Sequence, residues 1–260
     1  MSKKIECKLY NDNFQNYKRY GIPKAQLVIA DIPYNIGDNA YASNPMWYNG
    51  GDNKNGESKL AKKTFFNGDD RFKIAEYMHF CSKLLIKGPK EKGMAPAMIV
   101  FCAFDQIPMV QEYGKRYGFQ NSYPIFFVKN YSAQVLKANM KIVGAVEHAV
   151  VLYRDKLPKF RNNGHMIFNW FEWKRDSSKE YPKIHPTQKP ISVLKRLIEI
   201  FTDAGDVVID PCAGSGSTLR AAHELGRCAY GFEVSKKFYQ DAVDKMLAFP
   251  EEEQLSLLEG

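Results

Sequence analysis

No apolar run in this 260-residue chain approaches 18 residues, so no part of it is expected to span a bilayer. The opening stretch, "MSKKIECKLYNDNFQNY", lacks the apolar core of a secretory signal, and the expectation is a cytoplasmic protein. Five cysteines (Cys7, Cys81, Cys102, Cys212, Cys228) are scattered, odd in number and never arranged as CxxC. That argues against a disulfide framework and against a thiolate zinc site, and no metal is expected. There is no internal repeat and no GxxxxGK[ST] phosphate loop. At 45% hydrophobic and 25% charged residues, the chain has the composition of a folded protein, and its length suits one large α/β domain covering 1–260.

Acidic residues are scarce relative to basic ones, giving a net charge of +8. Four glutamates and no Lys or Arg fall in the last ten residues, which leaves +12 on the first 250. Residues 129–183 hold eleven Lys/Arg against five Asp/Glu, with Tyr131, Tyr153, Phe160, Phe168, Trp170, Phe171 and Trp173 interleaved. A basic segment studded with aromatics suits a polyanion, nucleic acid first among them; a solvated basic face is the plainer alternative.

Short apolar runs at 26–30, 97–103, 124–129, 148–154, 206–210 and 228–234 read as buried strands. Between some of them, 71–88, 190–205 and 235–249 carry apolar residues three and four apart and read as helices, with Gly88, Gly205 and Gly226 placed just past helix ends. Alternating strand and helix predicts an open, mostly parallel sheet covered on both faces. Two stretches break the rhythm. Residues 38–70, rich in Asn, Gly and Asp, read as a long functional loop, and 155–184 as part of an inserted recognition element.

The segment "VVIDPCAGSGSTLRAAHELGRCAYGFEV" (207–234) spells strand, acid, glycine-rich turn, helix, strand, acid. Gly214 and Gly216 permit a tight turn, and a helix from about Ser217 would aim its positive end at a ligand. Glu233 stands where an acid grips ribose hydroxyls. Leu219 occupies the position of the third glycine of a dinucleotide fingerprint, and Asp210 would repel a pyrophosphate while attracting an ammonium group. A ligand combining adenine, ribose and a cationic amino-acid end fits better: S-adenosylmethionine. Upstream, "IHPTQKP" (184–190) places His185, Thr187, Gln188 and Lys189 on the loop before a helix; on the residues alone they either offer polar groups to a ligand or form a turn with an N-terminal cap, the latter slightly favoured. Near the start, "DIPY" (31–34) puts an acid at the end of a buried strand.

Taken in order, "DIPY", "HPTQKP" and "DPCAGSGST" resemble the β-group of DNA amino-methyltransferases, over roughly residues 26–248. The resemblance implies a methyltransferase-type, Rossmann-like doubly wound α/β sheet of seven strands, a circularly permuted motif order and an inserted target-recognition region near 129–183. It implies methyl transfer from S-adenosylmethionine to the exocyclic amine of a base flipped out of DNA. In that scheme Asp31 and the carbonyl of Ile32 accept hydrogen bonds from the amine, Pro33 stiffens the turn, and Tyr34 stacks on the base. Asp210, Ala213, Gly214 and Gly216 belong to the methionine end and the turn, and Glu233 to the ribose. Thr187, Lys189 and Thr218 fall around the methionine carboxylate, with His185 on the same cofactor side. "FFVKN" (126–130) would line the other side of the base pocket, and 38–70 would close over the cofactor or grip the duplex.

Two departures stand out. Ile32 replaces the first proline of the usual motif, and Cys212 replaces a phenylalanine beside the cofactor. Cys212 also makes a Pro-Cys pair, the dipeptide of cytosine-C5 enzymes, but it lies in the cofactor loop and reads as packing. The aspartate at position 31 leans towards adenine N6. Cytosine N4 is the alternative, followed by an RNA amino-methyltransferase or an inactive nucleic-acid-binding relative. DNA is the expected partner; the resemblance also admits a homodimer and a restriction endonuclease partner.

Overall fold

The computed structural model describes residues 5–33, 72–130, 134–137, 142–185 and 187–249, with backbone only for 134–137 and 142–143. Tyr34, the 38–70 stretch, Tyr131 and the acidic tail lie outside the described residues. The strands are β1 (Cys7–Tyr10), β2 (Leu27–Asp31), β3 (Ala97–Cys102), β4 (Asn121–Lys129), β5 (Gln134–Lys137), β6 (Ile142–Gly144), β7 (Val146–Tyr153), β8 (Trp170–Trp173), β9 (Val207–Asp210) and β10 (Cys228–Phe232). The α-helices are α1 (Ile74–Leu84), α2 (Ile107–Arg116), α3 (Ile191–Phe201), α4 (Ser217–Glu224) and α5 (Lys236–Asp241), the last continuing into a π-turn at Ala242–Met246.

Among the described residues, eight strands form the main sheet in the order β1-β10-β9-β2-β3-β7-β4-β8, one more than the seven expected. Neighbours run parallel except β7, which is antiparallel to both β3 and β4. Alternation along each strand sorts the core into two layers. Leu27 and Ile29 of β2 and Ala97, Ile99 and Phe101 of β3 face α3 and α4; Val28, Ala30, Met98, Val100 and Cys102 face α1 and α2. Helix α1 buries Ile74, Tyr77, Met78, Cys81 and Leu84, the three-and-four spacing of one face. Burying each such side chain contributes about 1.5–3 kcal/mol. No helix among the described residues is long and apolar enough to cross a membrane.

Several boundaries differ from the sequence reading for visible reasons. Helix α1 stops at Leu84 because Leu85 turns extended and bridges Ala25, so Gly88 is no helix terminator and has no left-handed backbone. Gly205 is left-handed but lies beyond an extended Thr202, closing a separate turn. Of the three glycines, Gly226 directly follows a helix end. β4 starts earlier than expected because Pro124 sits where β8 has not yet begun to pair, and a missing N–H costs nothing on an unpaired edge.

Position in the sheet divides the 129–183 segment. β4 ends and β7 begins at the edge where the parallel strands finish, so the β5–β6 hairpin leaves from that edge. β7 then carries the chain to the opposite edge, where Arg154, Lys156, Lys159 and Arg161 are tied to the body. Arg154 donates to the Ser82 and Ile86 carbonyls and Lys156 to Pro89. Buried Lys159 pairs with Asp203 and Asp206, and Arg161 pairs with Asp203 through two nitrogens. β8 brings the chain back, ending at Trp173 beside Lys129.

Candidate active site

Three neighbouring parallel strands end in acids: Asp31 is the last residue of β2, Asp210 the last of β9, and Glu233 follows β10. From β9 the chain passes into α4 on one face; from β2 it proceeds to α1 on the other. A crevice opens at such a divergence, and ligands of open α/β sheets bind there. Asp31 and Asp210 lie 179 positions apart in sequence and on adjacent strands in space.

Asp210 is buried, and burial pushes its carboxyl up to about 7, aided by the charges of Asp31 and Glu233. It accepts hydrogen bonds from the Cys212 backbone N–H at 2.9 Å and from the Thr218 hydroxyl, which oppose the rise. Glu233 is also raised by burial, and its two oxygens accept from the N–H of Gly214 (2.9 Å) and of Ser235 (2.7 Å). Gly214 (φ 52) and Gly216 (φ 77) are left-handed, as a tight turn requires. A phosphate cradle needs outward-pointing amides. Here the Gly214 N–H is given to Glu233, and the Gly216 N–H donates to the Ala213 carbonyl at 2.8 Å. Two loop amides committed inward and three acids around the crevice suit a cationic ligand and not a pyrophosphate.

The close helix-to-strand approach that a dinucleotide fingerprint obtains from its third glycine is present, but transferred. Leu219 of α4 packs on Gly231 of β10, where a Cβ would lie 2.7 Å from Leu219 Cδ1. Cys212 is half-buried and burial drives its thiol far above the ordinary range, which is the state of a packing residue and not of a nucleophile.

The 184–190 loop joins the two halves of the site. His185 packs on the Phe238 ring at 4.4 Å and lies 4.0 Å from where a Gly214 Cβ would be. Burial, then the Lys189 charge, pushes its imidazole down to about 4, so it is neutral, and Nδ1 lies 3.0 Å from the Thr187 hydroxyl. Gln188 braces the loop from inside, accepting from the Ile184 N–H and donating to the Pro182 carbonyl. Lys189 is buried, and its Nζ lies 2.5 Å from Asp31 Oδ2. Thus Thr187 is engaged with His185, Thr218 with Asp210 and Lys189 with Asp31.

At the turn after β2, the Ile32 N–H donates to the Phe101 carbonyl at 3.1 Å, extending the β2–β3 ladder by a bond that proline could not make. The Pro33 carbonyl accepts from Gln106 Nε2 at 2.9 Å, while Gln106 Oε1 accepts from the Ala103 N–H. These bonds replace the stiffness lost with the first proline. Gln106 carried no sequence signal, since it follows β3 and lies 73 positions from Pro33. Asp176 was equally silent: its carboxylate accepts from the Ile191 N–H at 2.9 Å and so caps α3 from 15 positions away. Asn11 likewise donates to the Glu233 carbonyl at 2.8 Å.

A family model described as DNA methylase, of the N6/N4 type, matches residues 25–244. The chain belongs to the N6/N4 DNA methylases. Among curated relatives of this DNA methylase, the DNA adenine methyltransferase YhdJ of Escherichia coli K12 is 35% identical over 94 residues, 35% of this chain and 32% of that protein. The curated relatives match over only about a fifth to a third of their own lengths. Among solved structures, the M1.HpyAVI–SAM complex has a TM-score of 0.67 at 20% identity, covering 93% of this chain and 99% of that one. PvuII DNA methyltransferase (cytosine-N4-specific) has a TM-score of 0.61 at 14% identity, covering 98% and 92%. At these identities the likeness is one of fold.

Proposed function

We propose that this DNA methylase transfers a methyl group from S-adenosylmethionine to the N6 amine of an adenine extruded from DNA. The observation that carries the reading is the acidic crevice: Asp31, Asp210 and Glu233 at the ends of adjacent strands, beside a glycine turn whose amides point inward. When bound, S-adenosylmethionine supplies an electrophilic methyl on a cationic sulfur. Asp210 and Glu233 would hold its charged and hydroxyl-bearing groups, with Ala213, Gly214, Gly216 and His185 forming the wall of the turn. Asp31 and the Ile32 carbonyl accept hydrogen bonds from the exocyclic amine, which localises the nitrogen lone pair for in-line attack. The nitrogen–carbon bond forms as the carbon–sulfur bond breaks, the sulfur keeps the electron pair, and the amine sheds one proton to Asp31 or water. Tyr34 is proposed to stack on the base. Such stacking contributes about 1–3 kcal/mol, against a few kcal/mol for extrusion.

Adenine is favoured by the aspartate at position 31 and by the name of the relative YhdJ. Cytosine N4 is the second reading, favoured by the fold shared with PvuII methyltransferase; the same acceptors serve either amine. Within 129–183, the β5–β6 hairpin and residues 170–183 are proposed to contact DNA, because they lie at the edge where the acids stand. Nucleoside analysis by mass spectrometry after incubation with S-adenosylmethionine and unmethylated DNA tests the assignment. N6-methyladenine supports it, N4-methylcytosine corrects the base, and no methylated base refutes it. Asp31→Ala should abolish methylation with DNA affinity retained; parallel loss of both would remove Asp31 from the chemistry.

A further inference from the structure

The Lys189–Asp31 pair is built more carefully than a surface ion pair. Lys189 is 8% exposed, and its ammonium lies 5.4 Å from the Phe101 ring centre and 5.8 Å from that of Trp173. Trp173 is itself buried and carries a second cation, Lys129, at 5.0 Å, which pairs with Glu147. A desolvated ammonium flanked by aromatic faces has few places to go, and at 2.5 Å from Oδ2 it is directed at one carboxylate oxygen. The loop that delivers it is fixed by Gln188 on one side and by the Asp176 cap of α3 on the other.

The surroundings give the pair a purpose. Asp31 shares the crevice with Asp210 and lies close enough to raise that group's proton affinity. Like charges at short range favour protonation of one of them. A protonated Asp31 would present an O–H donor to the amine where an acceptor is required. Lys189 is the cation that offsets this repulsion on the Asp31 side.

We propose that Lys189 is a positioning residue of the amine-acceptor half of the site, keeping Asp31 ionised and oriented, and that it does not act as a ligand of the cofactor carboxylate. The inference rests on the methyltransferase reading and goes beyond it by assigning this lysine to the opposite half of the site from the one family resemblance implies. Its consequence is a coupling between two positions. Asparagine at 31 still offers a carbonyl acceptor but has no charge to compensate, so it removes the need for Lys189.

The test compares wild type, Lys189→Met, Asp31→Asn and the double variant by S-adenosylmethionine titration calorimetry and by single-turnover methylation at saturating cofactor. Lys189→Met should lower the turnover rate about 10²-fold, the cost of misplacing a reacting group by about an ångström, with cofactor affinity unchanged. Lys189→Met made in the Asp31→Asn background should cost little or nothing further. The double variant contains no uncompensated charge at the pair and provides the folded control if Lys189→Met alone is unstable. Loss of cofactor affinity in Lys189→Met, with turnover restored at saturation, would make Lys189 a cofactor ligand and overturn the proposal. So would two substitutions whose effects on rate simply multiply. Wild-type protein that binds S-adenosylmethionine but methylates no DNA would overturn the function reading, and this inference with it.

Discussion

Cofactor binding should take its pH dependence from Asp210. Burial moves this carboxyl from the ordinary 3.8 to about 7, which disfavours the ionised form by roughly 4 kcal/mol in the free protein. The sign follows from linkage. An acid that binds its proton more tightly when folded makes the free protein less stable as pH rises from about 4 to 7. A cationic ligand selects the ionised form, so binding below pH 7 expels the proton. The expected release from this group is about 0.9 proton per ligand at pH 6 and about 0.1 at pH 8. Calorimetry in buffers of different ionisation enthalpy measures this number directly. An α-amino group titrates near 7.7–8.0, so the amino-acid end of S-adenosylmethionine contributes its own signal. The readout is therefore wild type minus Asp210→Asn. Affinity of the wild type should rise from pH 6 to 8 more steeply than that of the variant. Identical proton release in the two proteins would show that Asp210 is already ionised without ligand and would refute the electrostatic account of the crevice.

Gly231→Ala should destabilise the protein by about 1–3 kcal/mol, because the new methyl meets Leu219 at 2.7 Å and Ala213 at 3.1 Å. Thermal denaturation should register a fall of several degrees, and an unchanged midpoint would refute the close packing of α4 on β10. Asp176→Ala should cost about 1 kcal/mol through the lost cap of α3, visible in urea unfolding as a lower midpoint at unchanged slope. DNA affinity should fall steeply with salt, and each phosphate-contacting lysine removed should lower that slope by about 0.9. Substitution of Lys174, Lys179 or Lys183 is expected to do so and Arg161→Gln is not, since Arg161 serves Asp203 at the opposite edge. A slope change with Arg161 alone would reverse this division of the basic segment.

Much of the fold was legible because buried strands announce themselves locally. Runs such as "AMIVFC" and "VVID" are apolar on both sides since both sheet faces are covered, and the glycine turn keeps the strand–turn–helix order of a nucleotide-binding unit. β1 was not legible: "CKLY" has only four residues, none of them buried, and it reads as a strand only once β10 is beside it. α2, with Pro108 in its first turn and a weak apolar pattern, escaped for the same reason. Of the candidate site, Asp31, Asp210, Gly214, Gly216 and Glu233 could be named from their place after strands. Gln106, Asp176 and Asn11 could not, because their bonds join positions 15 to 222 residues apart. The described cations counted in 129–183 divide between the two edges of the sheet. Seven of the eleven cations in 129–183 lie outside the stretch that packs at the far edge, whereas Arg154, Lys156, Lys159 and Arg161 hold that edge together.

The order of strands across the sheet also constrains how the molecule can be made. Because β2 lies between β3 and β9, the half of the sheet assembled from residues 27–173 carries a raw, apolar edge until residues 207–210 arrive. β1, made before β2, waits longer still, since its partner β10 ends at Phe232. On a ribosome Asp31 would therefore be left beside an open edge until β9 is made. Such edges invite pairing with other chains, and sheets closed by distant segments fold slowly. A truncation anywhere before Asp210 should accordingly give an aggregating product and not a smaller folded protein. Strands drawn from residues 7–31 and 207–232 are stitched into one sheet, and the candidate site lies where they meet.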